Sequence, residues 1–359
     1  MARINPEFTN ELKKFGAFDT NACYNCGNCT AVCSLSDEDN SFPRKMIRYS
    51  VLGLESEIQT SLDPWLCYYC GECSTTCPRE ADPGELMMSL RRWLSAKYDW
   101  TGLSGLLYKS KTASAIAFLL LLVAVVWFAA YEQFNIETVM HYGHFFEMAA
   151  ITLVFTLILL PNIIHMWWLT VLKPGIKAPL FAYFKATSEL VVHMFTQKRT
   201  LGCDDSQVRW VEHFILVLAY LSLLFTTVFL NWFSSQSVFV IVLGYVESVL
   251  IFLVTFDFIR RRIQKNDEVS KYSHPSDWLF VIWLFLIGLT AFVVRLFIDF
   301  NFLVNNIWLY LVHLIVMVQW ALLIVPFGKW THFLYRSFAI YFNCLTLAPQ
   351  KLEKQADAL

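Results

Sequence analysis

From residue 113 onward the chain alternates long apolar runs with short polar breaks; before that the pattern is mixed. A helix needs roughly 20 apolar residues to cross a hydrocarbon core of about 30 Å. Six runs meet that demand: Ala113–Tyr131, Phe145–Leu172, Trp210–Trp232, Val238–Ile259, Trp278–Phe297 and Leu303–Val325. Each predicts a membrane-spanning helix, and Trp and Tyr flank several of them, as at a lipid–water interface. Upstream, Pro43–Leu54 and Gly84–Tyr98 read as helices in a polar, cysteine-rich region.

The basic residues predict how the spans are oriented. Lys173, Lys177, Lys185, Lys198, Arg199 and Arg209 fall between the second and third runs. Arg260, Arg261, Arg262, Lys265 and Lys271 fall between the fourth and fifth. The three connections on the other side carry no Lys or Arg. Lys and Arg accumulate on the cytoplasmic side of short loops, so both termini are expected there. The N-terminal residues show no apolar leader core, which agrees. The expected location is a bacterial or archaeal cytoplasmic membrane.

The chain has 359 residues, 57% of them hydrophobic, and a net charge of −1. That balance gives no footprint for nucleic-acid binding. Eight of the ten cysteines lie in two runs: Cys23, Cys26, Cys29, Cys33 and Cys67, Cys70, Cys73, Cys77. Each run has the C-x2-C-x2-C-x3-C spacing that holds [4Fe–4S] clusters, with the fourth cysteine ligating the other cluster. Three close thiolates wrap one cubane while the fourth leads away. The expected sets are therefore Cys23, Cys26, Cys29 and Cys77 for one cluster, and Cys67, Cys70, Cys73 and Cys33 for the other. Paired zinc knuckles are the alternative, but those stand far apart in sequence. Gly27 and Gly71 suit a backbone that bends around a cluster. Such a domain is expected to have little core of its own. Cys203 and Cys344 are isolated and read as structural thiols.

The expected fold is thus all-α: a two-[4Fe–4S] ferredoxin-like domain over residues 1–109, a six-helix membrane domain over 110–345, and a tail over 346–359.

Eight histidines raise the question of haem. A bis-histidine haem needs two residues at the same depth on facing helices. His213, at the start of the third run, and His332, just past the sixth, match in depth. His313 lies in the outer half of the sixth run and matches His144 or His141 at the start of the second. His165 is a spare candidate, and His193 and His274 fall in loops. His313 and His332 are 19 residues apart, about 28 Å along a helix. An ideal helix sets them about 100° apart around its axis; Pro326, which interrupts a helix, offers a correction. Ionisable residues within membrane segments mark function. Glu247 and Arg295 are read as lining a quinone pocket, with a structural ion pair as the alternative.

These features together resemble a known family: the membrane subunit of the quinone-interacting membrane-bound oxidoreductase complex. That subunit is similar to a heterodisulfide-reductase iron–sulfur part fused to a cytochrome b part. The first likeness rests on the two cysteine runs, on 39–45, on Trp65 to Cys67 and on Cys77 to Arg79. The second resembles the gamma subunit of respiratory nitrate reductase and rests on Arg209 to His213 and on His313 with Pro326 to His332. The first spanning run lies outside that likeness. The resemblance implies haem b, one or two per chain, a menaquinone site near the outer haem, and His213 paired with His332. Where the nitrate-reductase pattern has a second histidine this chain has Leu223, so an outer haem would pair His313 with His144 or His141. It also implies soluble flavin or iron–sulfur partner subunits, with adenylylsulfate reductase as the final acceptor.

No G-x-G-x-x-G and no P-loop occurs, so quinone is the only substrate expected in this chain. The expected role is an electron-transfer subunit of a quinone-linked oxidoreductase. Alternatives are a heterodisulfide-reductase-like or electron-transfer-flavoprotein:quinone oxidoreductase, or a transporter or anchor carrying a regulatory cluster domain. No internal repeat of the transporter kind is visible.

Overall fold

The computed structural model describes residues 3–18, 20–198, 201, 207–265 and 268–356. Cys203 lies outside them. Among the described residues every regular element is a helix. Six helices are long and apolar enough to cross a membrane: Lys111–Tyr131, Ile136–Leu172, Gln207–Val228, Val238–Gln264, Pro275–Asp299 and Ile307–Pro349. They follow an N-terminal domain of short helices organised around one long helix, Pro83–Tyr98.

Polar caps, more than hydropathy, set where the spans begin. Ser110 accepts from Ala113 N and opens the first. Asn135 accepts from Glu137 N and Thr138 N, so the second span begins at Ile136 rather than at Phe145. The turns that carry Glu137, His141 and His144 are too polar to register as an apolar run. His274 caps the fifth span in a reciprocal capping box with Asp277, and Pro275 stands at its first turn. The third span stops at Val228, short of Trp232. Trp232 instead turns inward and is fully buried. It lies over Gly244, where an added Cβ would come within 2.1 Å of its ring.

The sixth span is interrupted where proline was expected to interrupt it. A wide π-turn over Trp320–Ile324 precedes Pro326. Gly328 is extended, and a new helix starts at Thr331 and runs to Ala356. Pro326 has no N–H to give the preceding turn, and the π-turn absorbs the mismatch. The second span carries π-turns too, at Val154–Leu159 and Trp168–Leu172.

The expectation of a weak core in the cysteine domain is overturned. Phe8, Leu12, Met46, Ile58, Trp65, Leu86, Met87, Leu90, Trp93 and Tyr98 are fully buried together. The same core takes in Met166, Leu169 and Val171 of the second span and Tyr335, Ala339, Phe342 and Leu345 of the helix that follows the break in the sixth. Arg91 and Arg92 mask this in the sequence, because they sit buried within the long helix. Both are satisfied there. Arg92 joins Glu85 at 3.0 Å and Asp277 at 3.1 Å and donates to Phe15 O. Arg91 donates to Pro64 O at 2.6 Å and Cys67 O at 2.5 Å.

Candidate metal centres and the cavities that join them

The two cysteine runs adopt the same local shape. Asn25 and Tyr69 both have φ 58°, and Gly27 and Gly71 have φ 96° and 91°. Positive φ at the glycines costs no Cβ clash. One-turn helices follow, Asn28–Ala31 and Glu72–Thr75, carrying Cys29 and Cys73. Asn25 N donates to Cys23 Sγ at 3.3 Å and Tyr69 N to Cys67 Sγ at 3.4 Å.

The structure gathers the cysteines in crossed sets. One cavity is lined by Cys23, Cys26, Cys29 and Cys77. Another, of about 140 Å³, is lined by Cys33, Cys67, Cys70 and Cys73. Among the described residues no three His, Cys, Asp or Glu side chains converge on a point as a single metal ion requires. Thiols ringed around a space fit a polynuclear cluster better. Burial pushes the Cys33 thiol up to about 11 and raises Cys67 and Cys73 as well. Thiolates held there need positive charge in their midst, which cluster iron supplies.

A third cavity, of about 530 Å³, is lined by His213 and His332. His332 Nδ1 lies 2.5 Å from Lys329 O and donates to it. That bond leaves Nε2 free to ligate, the arrangement a metal-bound imidazole would use. His213 Nδ1 is buried without a hydrogen-bond partner among the described residues. Arg209, Arg261, Arg262, Lys329 and Arg336 line the same space, so it suits an occupant bearing carboxylates. Bis-histidine haem b, with its two propionates, fits this donor set. The cavity shares Tyr68, Tyr69, Cys70, Gly71 and Glu72 with the Cys67 cavity, and Arg91 also lines it.

A fourth cavity, again about 530 Å³, holds His313. Tyr220, Trp320 and Trp330 line both this space and the His213–His332 cavity. Thr290 gives its hydroxyl hydrogen to Leu286 O and takes a bond of 2.8 Å from His313 Nδ1. Phe233 packs edge-on against the His313 ring at 5.4 Å.

His144 and His141 do not line this cavity. The neighbouring Gly143 does, and a Cβ there would come within 2.7 Å of Tyr310 Oη. His144 faces outward, 45% exposed, with Nδ1 3.8 Å from Glu147 Oε2. Glu147 lines the cavity; the sequence pattern places it inside the apolar run from Phe145 without showing which face it takes. His165 Nδ1 lies 3.2 Å from Tyr98 O, at the junction with the cysteine domain.

Glu247 and Arg295 lie away from both large cavities. Glu247 is buried between the third and fourth spans and accepts from Ser222 and Thr226. Arg295 donates to Trp232 O at 2.5 Å and Ser235 O at 3.2 Å and pairs with Asp299 at 2.7 Å. It pins the connection between those spans, and no contact joins it to Glu247 among the described residues.

Comparison with known proteins bears on the N-terminal part. Residues 19–81 match the family described as a 4Fe-4S dicluster domain. The chain is 33% identical over 88 residues to a protein of Archaeoglobus profundus named for its likeness to the C subunit of heterodisulfide reductase. That match covers 24% of this chain and 47% of the relative, so the chain spans about half the length of the relative it matches. No solved structure matches.

Proposed function

We propose that this chain carries electrons between a membrane quinol, menaquinol by the family resemblance, and soluble redox partners. In this reading Cys23, Cys26, Cys29 and Cys77 hold one [4Fe–4S] cluster, and Cys33, Cys67, Cys70 and Cys73 hold the other. His213 and His332 hold one haem b. The His313 cavity takes the quinone, which accounts for His144 standing outside it. Haem and clusters supply one-electron carriers when bound. The chain's own residues do the rest: the histidines fix the haem plane, Arg91 ties the Cys67 loop to the haem cavity, and Tyr220, Trp320 and Trp330 form the wall between haem and quinone.

The observation that carries this reading is the row of three cavities from the Cys67 loop to His313, each sharing lining residues with the next. A membrane anchor with a regulatory cluster would need no such row. The residue-number division is then 1–109, 110–345 and 346–359, with the clusters and both termini on the cytoplasmic side of a prokaryotic membrane. The partner is a flavin-bearing subunit serving adenylylsulfate reductase. The likeness to a heterodisulfide-reductase-type protein favours a second reading of the partner, as a heterodisulfide-reductase-type flavoprotein.

The test is a dithionite-reduced minus oxidised spectrum of the purified chain with haem and iron quantified together. One b-type haem and about eight non-haem irons per chain is the expected result. Two haems would return His313 to a ligating role, and none would remove the cytochrome from the scheme.

A further inference from the structure

Glu147 is a carboxylate set in the wall of an otherwise largely apolar cavity. Among the described residues that line it, no other is a carboxylate. Its Oε1 is buried with no hydrogen-bond partner among the described residues. Its other oxygen points to His144 Nδ1 at 3.8 Å. Ionisable groups at such depth are costly and stay where they act.

The surroundings say what the group faces. The cavity is of the size and apolar character that suit a small-molecule ligand. At its rim Trp127, Phe146 and Leu153 are more than half exposed on the first and second spans, so it opens sideways toward lipid. A lipid-soluble quinol enters that way. Inside, His313, Tyr220 and Thr227 are the remaining polar side chains apart from the indoles. In the other direction the second span offers His144 and then His141, successive turns toward its beginning, and both are exposed.

We infer that Glu147 is the proton acceptor for a quinol bound in the His313 cavity, with His144 as its relay to the surface at the far end from the clusters. This rests on the quinol reading above. Oxidation of a quinol to a quinone breaks two O–H bonds and releases two electrons and two protons. The electrons are taken one at a time by the chain's one-electron carriers. Each proton passes to the Glu147 carboxylate, on to His144 Nδ1, and from there to water, which returns Glu147 to its starting form.

The experiment follows reduction of the haem by menadiol in the purified, cofactor-loaded chain, alongside a redox-induced infrared difference spectrum. Glu147→Gln should keep its haem and iron content and bind menadione as before. Its rate of haem reduction should fall about 100-fold, the usual weight of one general base, and a carboxyl band should vanish from the infrared spectrum. Glu147→Asp should recover part of the rate, which covers the case in which the glutamine variant does not assemble. His144→Ala should lose less, and added imidazole should restore it. A Glu147→Gln protein that is reduced at the parent rate, or that keeps the carboxyl band, overturns the inference and leaves the quinol reading standing. Failure of menadiol to reduce the unaltered chain would overturn the quinol reading and the proton role with it.

Discussion

At the scale of single residues, chemistry was legible where spacing alone dictates it. The eight cysteines stand in two four-membered rings, and the crossing of Cys33 and Cys77 between them follows from the reach of a three-residue step. Replacing Cys77 with Ser should abolish the same electron paramagnetic resonance signal that Cys23→Ser abolishes. Loss of the Cys67→Ser signal instead would show that the ligands do not cross. Depth brought His213 and His332 to one cavity, but the same reasoning paired His313 with His144 or His141, which stand outside its cavity. Glu247 and Arg295 were read as a quinone site because they are charged and intramembrane, yet neither lines a large cavity, and Glu247 is bonded by Ser222 and Thr226 while Arg295 is bonded by Asp299 and backbone carbonyls. Charge within a span marks a site only where it also faces a cavity. Glu147 meets that test, and it went unread because an apolar run does not show which of its residues face a cavity.

At the scale of elements, the six spans could be read from hydropathy, but their ends could not. Caps at Ser110, Asn135 and His274 decide three of the starts, and a cap weighs little in any hydropathy window. The start of the fifth span also joins the two halves of the molecule. Asp277 meets Arg92 of the long cysteine-domain helix at 3.1 Å and Lys329 at 2.7 Å. Lys329 lies three residues before His332 and holds that histidine through its carbonyl. A negative side chain in a first helical turn also complements the helix dipole. Removing one partner of a buried ion pair costs about 3–5 kcal/mol. Asp277→Asn should therefore lower stability by that amount in a denaturant titration in detergent. It should also broaden the spectrum of the proposed haem, because the carbonyl that orients His332 loses its anchor. An unchanged titration would mean that the apolar core alone holds the junction.

At the scale of the whole molecule, one buried core runs from the cysteine domain into the second span and the helix that follows the break in the sixth. The sequence suggested a small domain with little core of its own, because Arg91 and Arg92 break the apolar face of its longest helix. Since Trp65, Trp93, Tyr98 and Tyr335 are fully buried in that core, chelating the iron should leave helical content nearly intact. Protease should then cut within 23–33 and 67–77 while the membrane helices stay whole. Wholesale loss of helical signal on chelation would restore the clusters as the domain's main support.

The position of the His313 cavity has an electrical meaning. His313 stands six residues after Ile307, near the end of its span farthest from the clusters, whereas His213 and His332 lie beside the cysteine domain. An electron that enters at one and leaves past the other crosses a large part of the bilayer, and a proton released by way of His144 stays behind. A full elementary charge moved across 100 mV exchanges about 2.3 kcal/mol with the membrane potential. The chain would then act as a battery element, with its direction of current set as much by the voltage across the membrane as by the chemistry at either end.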